Sequence, residues 1–214
     1  MISNTVAISA EPHESRYGAA VTVRLPAAER RVQLLHAARA VFAVEGFQSA
    51  TMETVASEAG ITKPVLYQHF SSKRELFLEL LRDVGDRLTS AVGEAARAAP
   101  TVEARVVDGF AAYFRFLAAY PDDFRLLFGE GVRTDPEFAR AVAEVERELA
   151  IFIAALIEIT DLTEAERLVL AHGILGMAEA TGRHWIAGGM QGEVDALASR
   201  VADLAWLGLR GRRR

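Results

Sequence analysis

Thr51-Met52-Glu53-Thr54-Val55-Ala56-Ser57-Glu58-Ala59-Gly60-Ile61-Thr62-Lys63-Pro64-Val65-Leu66-Tyr67-Gln68-His69-Phe70 is the most informative stretch of this 214-residue chain. Thr51 can cap a short helix with Val55, Ala56 and Ala59 on its inner side, and Gly60 ends it. Thr62 opens a second, shorter helix with Pro64 in its first turn, where backbone N–H groups lack intrahelical partners anyway. Two helices across a tight glycine turn have the spacing of a helix-turn-helix. Ala56 and Ala59 allow close approach, while Ile61, Val65, Leu66 and Phe70 fill the space beneath. The second helix is too short to persist alone. Its outward residues are Thr62, Lys63, Pro64, Tyr67, Gln68 and His69, which suit phosphate oxygens, base edges and a thymine methyl. Any helical hairpin exposes polar residues, however. Periodicity alone leaves open a DNA-reading element and a helical protein-interaction module.

The flanking sequence has helical period almost throughout. Upstream, Leu34, Leu35, Ala38, Val41 and Phe42 form one face of a first helix from Ala27, which Gly46 is expected to stop in the left-handed conformation. Downstream, Ser72-Lys73-Arg74-Glu75 reads as a capping box opening a long fourth helix over 72–98. A fifth helix fits Val102–Ala119 and a short sixth Asp122–Gly129, with Gly131 and Thr134 in a loop. Asp135-Pro136 supplies an N-cap and an N1 proline for a seventh helix to about Ile159. Thr163-Glu164-Ala165-Glu166 is a second capping box for an eighth helix to Ala187, and a ninth runs from Glu193 to Leu209. Val21–Leu25 alternates like a strand but is too isolated for a sheet. The expected fold is all-α with about nine helices: a 1–26 disordered arm, a 27–75 helix-turn-helix domain and a 76–214 body, joined by the 72–98 helix.

Composition narrows the function. The chain has no cysteine, which removes disulfides, thiolate metal sites and thiol nucleophiles. The apolar runs Leu149–Ile157 and Leu168–Ala178 are too short to span a bilayer, and residues 1–26 lack a secretory pattern, so a cytoplasmic protein without membrane contact is expected. His172 and His184 are 12 apart and do not make a close ligand pair, and no His-Glu-x-x-His motif, nucleophile elbow or phosphate-binding glycine loop occurs. No catalytic residue, metal or cofactor is expected, which leaves an enzyme a remote alternative. The net charge of −5 conceals a gradient: residues 24–74 carry +3 and residues 75–214 carry −7.

The run from Thr51 through Phe70 to Leu76, with Phe42-Ala43-Val44-Glu45-Gly46-Phe47 before it, closely resembles the DNA-binding segment of TetR-type transcriptional repressors (the TetR/AcrR family). The wording matches over Arg30–Leu81, and helix count and lengths extend the likeness along the chain. The resemblance implies a homodimeric, ligand-responsive repressor on a pseudo-palindromic operator. Two recognition helices would enter successive major grooves roughly 34–36 Å apart. It further implies that Thr51 meets phosphate at a helix N-terminus, that Thr62 and Lys63 touch phosphate or base edge, that Pro64, Tyr67 and Gln68 face the groove, and that His69 and Lys73 clamp the DNA backbone. Tyr67 packing on the first helix and His69 making a structural hydrogen bond are the bland alternatives. Many relatives have Gly at the position of Pro64. For Arg16 and Arg24 a disordered, solvated arm is the expectation, with a minor-groove contact as the alternative.

The resemblance also implies a small-molecule inducer lodged in the body. The aromatic cluster supplies a candidate pocket of Phe110, Tyr113, Phe114, Leu117, Phe124, Leu127, Phe128, Phe152 and Leu156, with a plain helical core as the competing reading. Arg115, Arg125 and Arg133 are candidate partners for an anionic head group. Arg125-Leu126-Leu127-Phe128 and Gly176-Met177-Ala178 … Trp185 are similar to a subgroup that senses long-chain acyl compounds. The eighth and ninth helices are apolar on several faces and so must be buried on several faces. Leu168, Leu175, Trp185, Leu197, Val201 and Leu204 are therefore the expected dimer contacts, with Gly173, Gly176 and Gly182 permitting close approach.

Overall fold

Helix follows helix from Pro26 onward. The computed structural model describes residues 26–159 and 161–210. The order is α1 (Ala27–Ser49), α2 (Met52–Glu58), α3 (Lys63–Tyr67), α4 (Lys73–Ala98), α5 (Val102–Ala119), α6 (Pro121–Phe128), α7 (Glu130–Thr134), α8 (Pro136–Leu156), α9 (Glu164–Ala187) and α10 (Val194–Arg210). The nine expected helices are all present. The extra element is α7, a five-residue turn of helix where a loop was expected. The arm with Arg16 and Arg24, the Val21–Leu25 alternation and the tail after Arg210 lie outside the described residues.

Caps account for most boundaries. Thr51 and Thr54 exchange side-chain and backbone hydrogen bonds at the start of α2, and Thr163 and Glu166 do so at the start of α9. Asp135 accepts from the N–H groups of Glu137 and Phe138 to start α8. At α4 the expected box is displaced by one residue. Ser72 accepts from Glu75 N–H, but the Glu75 carboxylate bonds to Ser71 rather than to Ser72, and that pairing lowers its pKa. Gly46 has positive φ with an extended ψ (72°, 164°) rather than the expected left-handed stop, so α1 kinks there and continues to Ser49. Past the kink, the Phe47 ring meets Phe138 of α8 edge-on at 4.7 Å between centroids.

The head and the body are one packed object. In the head, Leu34, Val55, Leu66 and Phe70 are fully buried. The five residues of α3 hold shape because Leu66 and Phe70 each contribute about 2 kcal/mol of apolar burial there. In the body, α5 packs against both α4 and α10, while α8 packs against both α4 and α9. The α4–α8 crossing is close: a Cβ on Gly85 would lie 2.4 Å from Val145 Cγ2.

Ion pairs stitch the junction. Asp123 on α6 is fully buried and faces two guanidiniums, Arg39 of α1 at 2.9 Å and Arg87 of α4. Asp83 on α4 lies within 3.2 Å of Arg87 and 3.5 Å of Arg39. Arg74, near the start of α4, reaches Asp135 at 2.8 Å and Glu137 at 2.9 Å on α8. The Arg74 guanidinium holds the Asp135 carboxyl down to about 2, helped by the two capping N–H donors.

Two consequences are measurable. Gly85→Ala forces Cβ against a β-branched side chain that cannot swing aside, and is expected to cost about 1–3 kcal/mol in urea unfolding. Because the folded-state pKa of Asp135 lies below its unfolded value, its contribution is complete above the ordinary carboxylate range and is lost as pH falls from about 4 through 2. Asp135→Asn should therefore flatten the stability–pH curve in that window and leave its slope near neutrality unchanged.

Candidate nucleic-acid interface and ligand cavity

The α2–α3 turn is built by backbone bonds. Gly60 has φ 65°, its N–H donates to Ser57 and the next N–H, from Ile61, donates to Ala56, which is the Schellman pattern. It leaves α3 with Leu66 inward and Thr62, Lys63, Pro64, Tyr67 and Gln68 exposed together. Thr62 makes no side-chain capping bond. The Lys63 ammonium is loosely held, 3.4 Å from Glu53 on α2. Tyr67 is 45% exposed. Thr51, also exposed, uses its hydroxyl as the α2 cap.

Two expected backbone clamps sit differently. His69 is half-buried, and its carbonyl accepts from Arg31 at 2.8 Å. That same guanidinium pairs with Glu79 of α4 and lies 4.3 Å from the centroid of the Phe70 ring. Lys73 directs its ammonium to the carbonyls of Phe47 (2.6 Å), Gln48 (3.1 Å) and Ala50 (2.7 Å), tying off the end of α1. An ammonium has three donors, so all three are engaged within the chain.

The body contains an apolar cavity bounded by α4, α5, α8, α9 and α10. Of the nine expected pocket residues, Phe110, Tyr113, Phe152 and Leu156 line it. Phe114, Leu117, Phe124, Leu127 and Phe128 do not; they are buried in the packed core. A helix face can point to a cavity or to a neighbouring helix with the same periodicity, which is why sequence did not separate them. Val92, Ile174 and Leu175 complete the wall from α4 and α9. The suggested head-group arginines are elsewhere: Arg115 pairs with Asp195, Arg125 with Asp122 and Arg133 with Glu179.

The expected dimer contacts also divide. Trp185 is buried within the chain and donates to the Gln191 carbonyl at 3.0 Å, and Val201 lies in the same core. Leu175 faces the cavity, Leu168 packs on the Ala150–Ala171 cluster, and Leu197 packs on the main core. Gly182 serves an internal contact, since a Cβ there would lie 2.7 Å from Leu117 Cδ2. Leu204 is exposed, as are Val169 and Leu207, and the Cβ positions of Gly173 and Gly176 meet nothing.

An exposed recognition helix on an all-helical body defines a helix-turn-helix transcription regulator. The family model "Bacterial regulatory proteins, tetR family" matches residues 34–80, and "Tetracyclin repressor-like, C-terminal domain" matches residues 102–208. The "HTH-type transcriptional activator FasR" of Mycolicibacterium smegmatis is 35% identical over 187 residues, covering 87% of this chain and 85% of that protein. The chain belongs to the TetR family. A TetR-like regulator from Rhodococcus sp. RHA1 superposes with a TM-score of 0.71 at 30% identity, covering 88% of this chain and all of that one. FadR from Bacillus subtilis in complex with stearoyl-CoA superposes with a TM-score of 0.72 at 16% identity, covering 81% of this chain and 96% of that one.

Two substitutions separate reading from holding. Gln68→Ala should alter base preference at one operator position by about 1–3 kcal/mol without changing stability, measured by gel shift on a set of single-base variants. Lys73→Ala should weaken binding to every duplex by a similar factor and also lower the melting temperature, because three carbonyls lose their donor.

Proposed function

We propose that this chain is a ligand-responsive DNA-binding regulator acting as a homodimer on a pseudo-palindromic operator, released by a small apolar ligand of acyl type. The observation that carries the reading is the pairing of an exposed α3 with an apolar cavity in the body, joined through α4. Thr62, Lys63, Pro64, Tyr67 and Gln68 contact the major groove; Thr51 lies at an α2 N-terminus suited to phosphate. His69 and Lys73 contribute by fixing α3 and the end of α1 in place. The two copies meet through α9 and α10, where Val169, Leu204 and Leu207 are exposed beside open Gly173 and Gly176. The head is taken as 27–75 and the body as 76–214. The site of action is the cytoplasm, with no catalytic role.

Release works by differential affinity. The ligand must bind the DNA-incompetent arrangement more tightly, since equal affinity for both arrangements shifts nothing. The stearoyl-CoA in the FadR structure supports an acyl ligand for a cavity of this kind. The repressor sense rests on the family resemblance. The FasR relative is named an activator, which favours a second sense, in which loss of DNA binding lowers transcription. Titrating a purified protein–operator complex with long-chain fatty acids and acyl-coenzyme A should release DNA, with a reporter in cells giving the sense. Retention of the complex at saturating concentrations of all of them would overturn the acyl reading.

A further inference from the structure

The cavity wall contains two charged residues, Arg105 of α5 and Glu158, and they pair with each other. Both side chains retain solvent contact, 29% and 57%, which places the pair at the mouth. Glu158 follows the end of α8 in a non-helical segment, so it can be displaced without breaking a helix. An exposed pair of this kind is worth at most about 1 kcal/mol and exchanges readily for another anion. A guanidinium fork accepts a carboxylate or phosphate in two parallel hydrogen bonds.

A second donor sits at the same end. Trp206 of α10 lines the cavity, and its indole N–H is buried without a partner among the described residues. The Arg115–Asp195 pair fixes the start of α10 beside the end of α5. Trp206, eleven residues further along α10, therefore lies back towards Arg105, about 16 Å from that pair by helical rise. A buried unpaired donor is costly unless something accepts from it. Behind the mouth the wall is apolar from Val106 to Tyr113, a run of about 10 Å along α5.

Resting on the reading of the cavity as a ligand site, we propose that it takes a single-chain amphiphile with an anionic head. The head displaces Glu158 from Arg105 and accepts the Trp206 N–H, and the chain runs along α5 towards Tyr113. The shared chemistry is an anion on a long alkyl chain, whether the carboxylate of a free acid or the phosphates of a coenzyme A thioester.

The test is calorimetric titration of the full chain with palmitate, hexadecanol and palmitoyl-coenzyme A, below their aggregation concentrations. Arg105→Gln should raise the palmitate Kd by about tenfold and change the hexadecanol Kd by less than about twofold, with Arg105→Lys partly restoring palmitate binding. Glu158→Gln, which removes the competing anion, should tighten palmitate by about two- to fivefold. Trp206→Phe should weaken acid and alcohol alike, since both carry an acceptor. Palmitoyl-coenzyme A losing affinity in Arg105→Gln would assign the head to its phosphates as well, and insensitivity would assign it to the free carboxylate. If palmitate and hexadecanol respond identically to Arg105→Gln, the head-group assignment is overturned while the apolar cavity stands. If the wild-type chain binds none of the three, the acyl reading falls and takes this proposal with it.

Discussion

Asp123 is an acidic side chain with no access to solvent, and the junction between head and body is organised around pairing it with guanidiniums. A buried charge is tolerable only if opposite charge comes with it, because stranding it costs several kcal/mol. Here the compensation comes from two other helices, Arg39 of α1 and Arg87 of α4, with Asp83 balancing the second guanidinium. Helix α6 therefore cannot shift by itself. Movement of α6 carries α1 with it, changes the position of α4, or exposes the carboxylate to water. Since α1 packs against α2, and α2 against α3, a buried salt link connects the body to the helix-turn-helix.

A second guanidinium does comparable work at the other end of the head. Arg31 joins α1 to α4 through Glu79 and holds the chain leaving α3 through the His69 carbonyl and the Phe70 ring. The basic side chains of residues 26–74 are largely committed to such internal links. Arg31, Arg39, Lys73 and Arg74 each face partners inside the chain, leaving Lys63, loosely paired, as the cation displayed on α3. What α3 and its cap display beside that cation is a hydroxyl, an amide and a ring, from Thr62, Gln68 and Tyr67.

The elements were legible because their ends carry local signals. Ser72, Thr101, Asp135 and Thr163 all cap the helices that follow them, and each lies within reach of N–H groups two or three residues on. The glycine turn at Gly60 was legible for the same reason. What failed required knowing which neighbour a face meets. α9 is apolar around its circumference, so nothing local says that Trp185 turns inward or that Val169 turns outward. The cavity residues Arg105 and Glu158 are 53 positions apart, and neither carries a pattern that names the other. The clamp role of Lys73 came from the family resemblance, and its carbonyl partners lie past the kink at Gly46, which ordinary helical spacing does not anticipate.

The contacts between Arg74 and the start of α8 have an implication for engineering. Regulators of this architecture invite the construction of chimaeras in which the reading head of one is grafted onto the sensor of another. Here the graft line cuts through Arg74–Asp135, Arg39–Asp123 and the Phe47–Phe138 ring contact. A foreign head would bring its own side chains to this seam and take Arg39 away from the buried Asp123, leaving it to Arg87. Head and sensor in this protein are matched as a lock is matched to its barrel, and an exchange would have to carry the residues of the seam along with it.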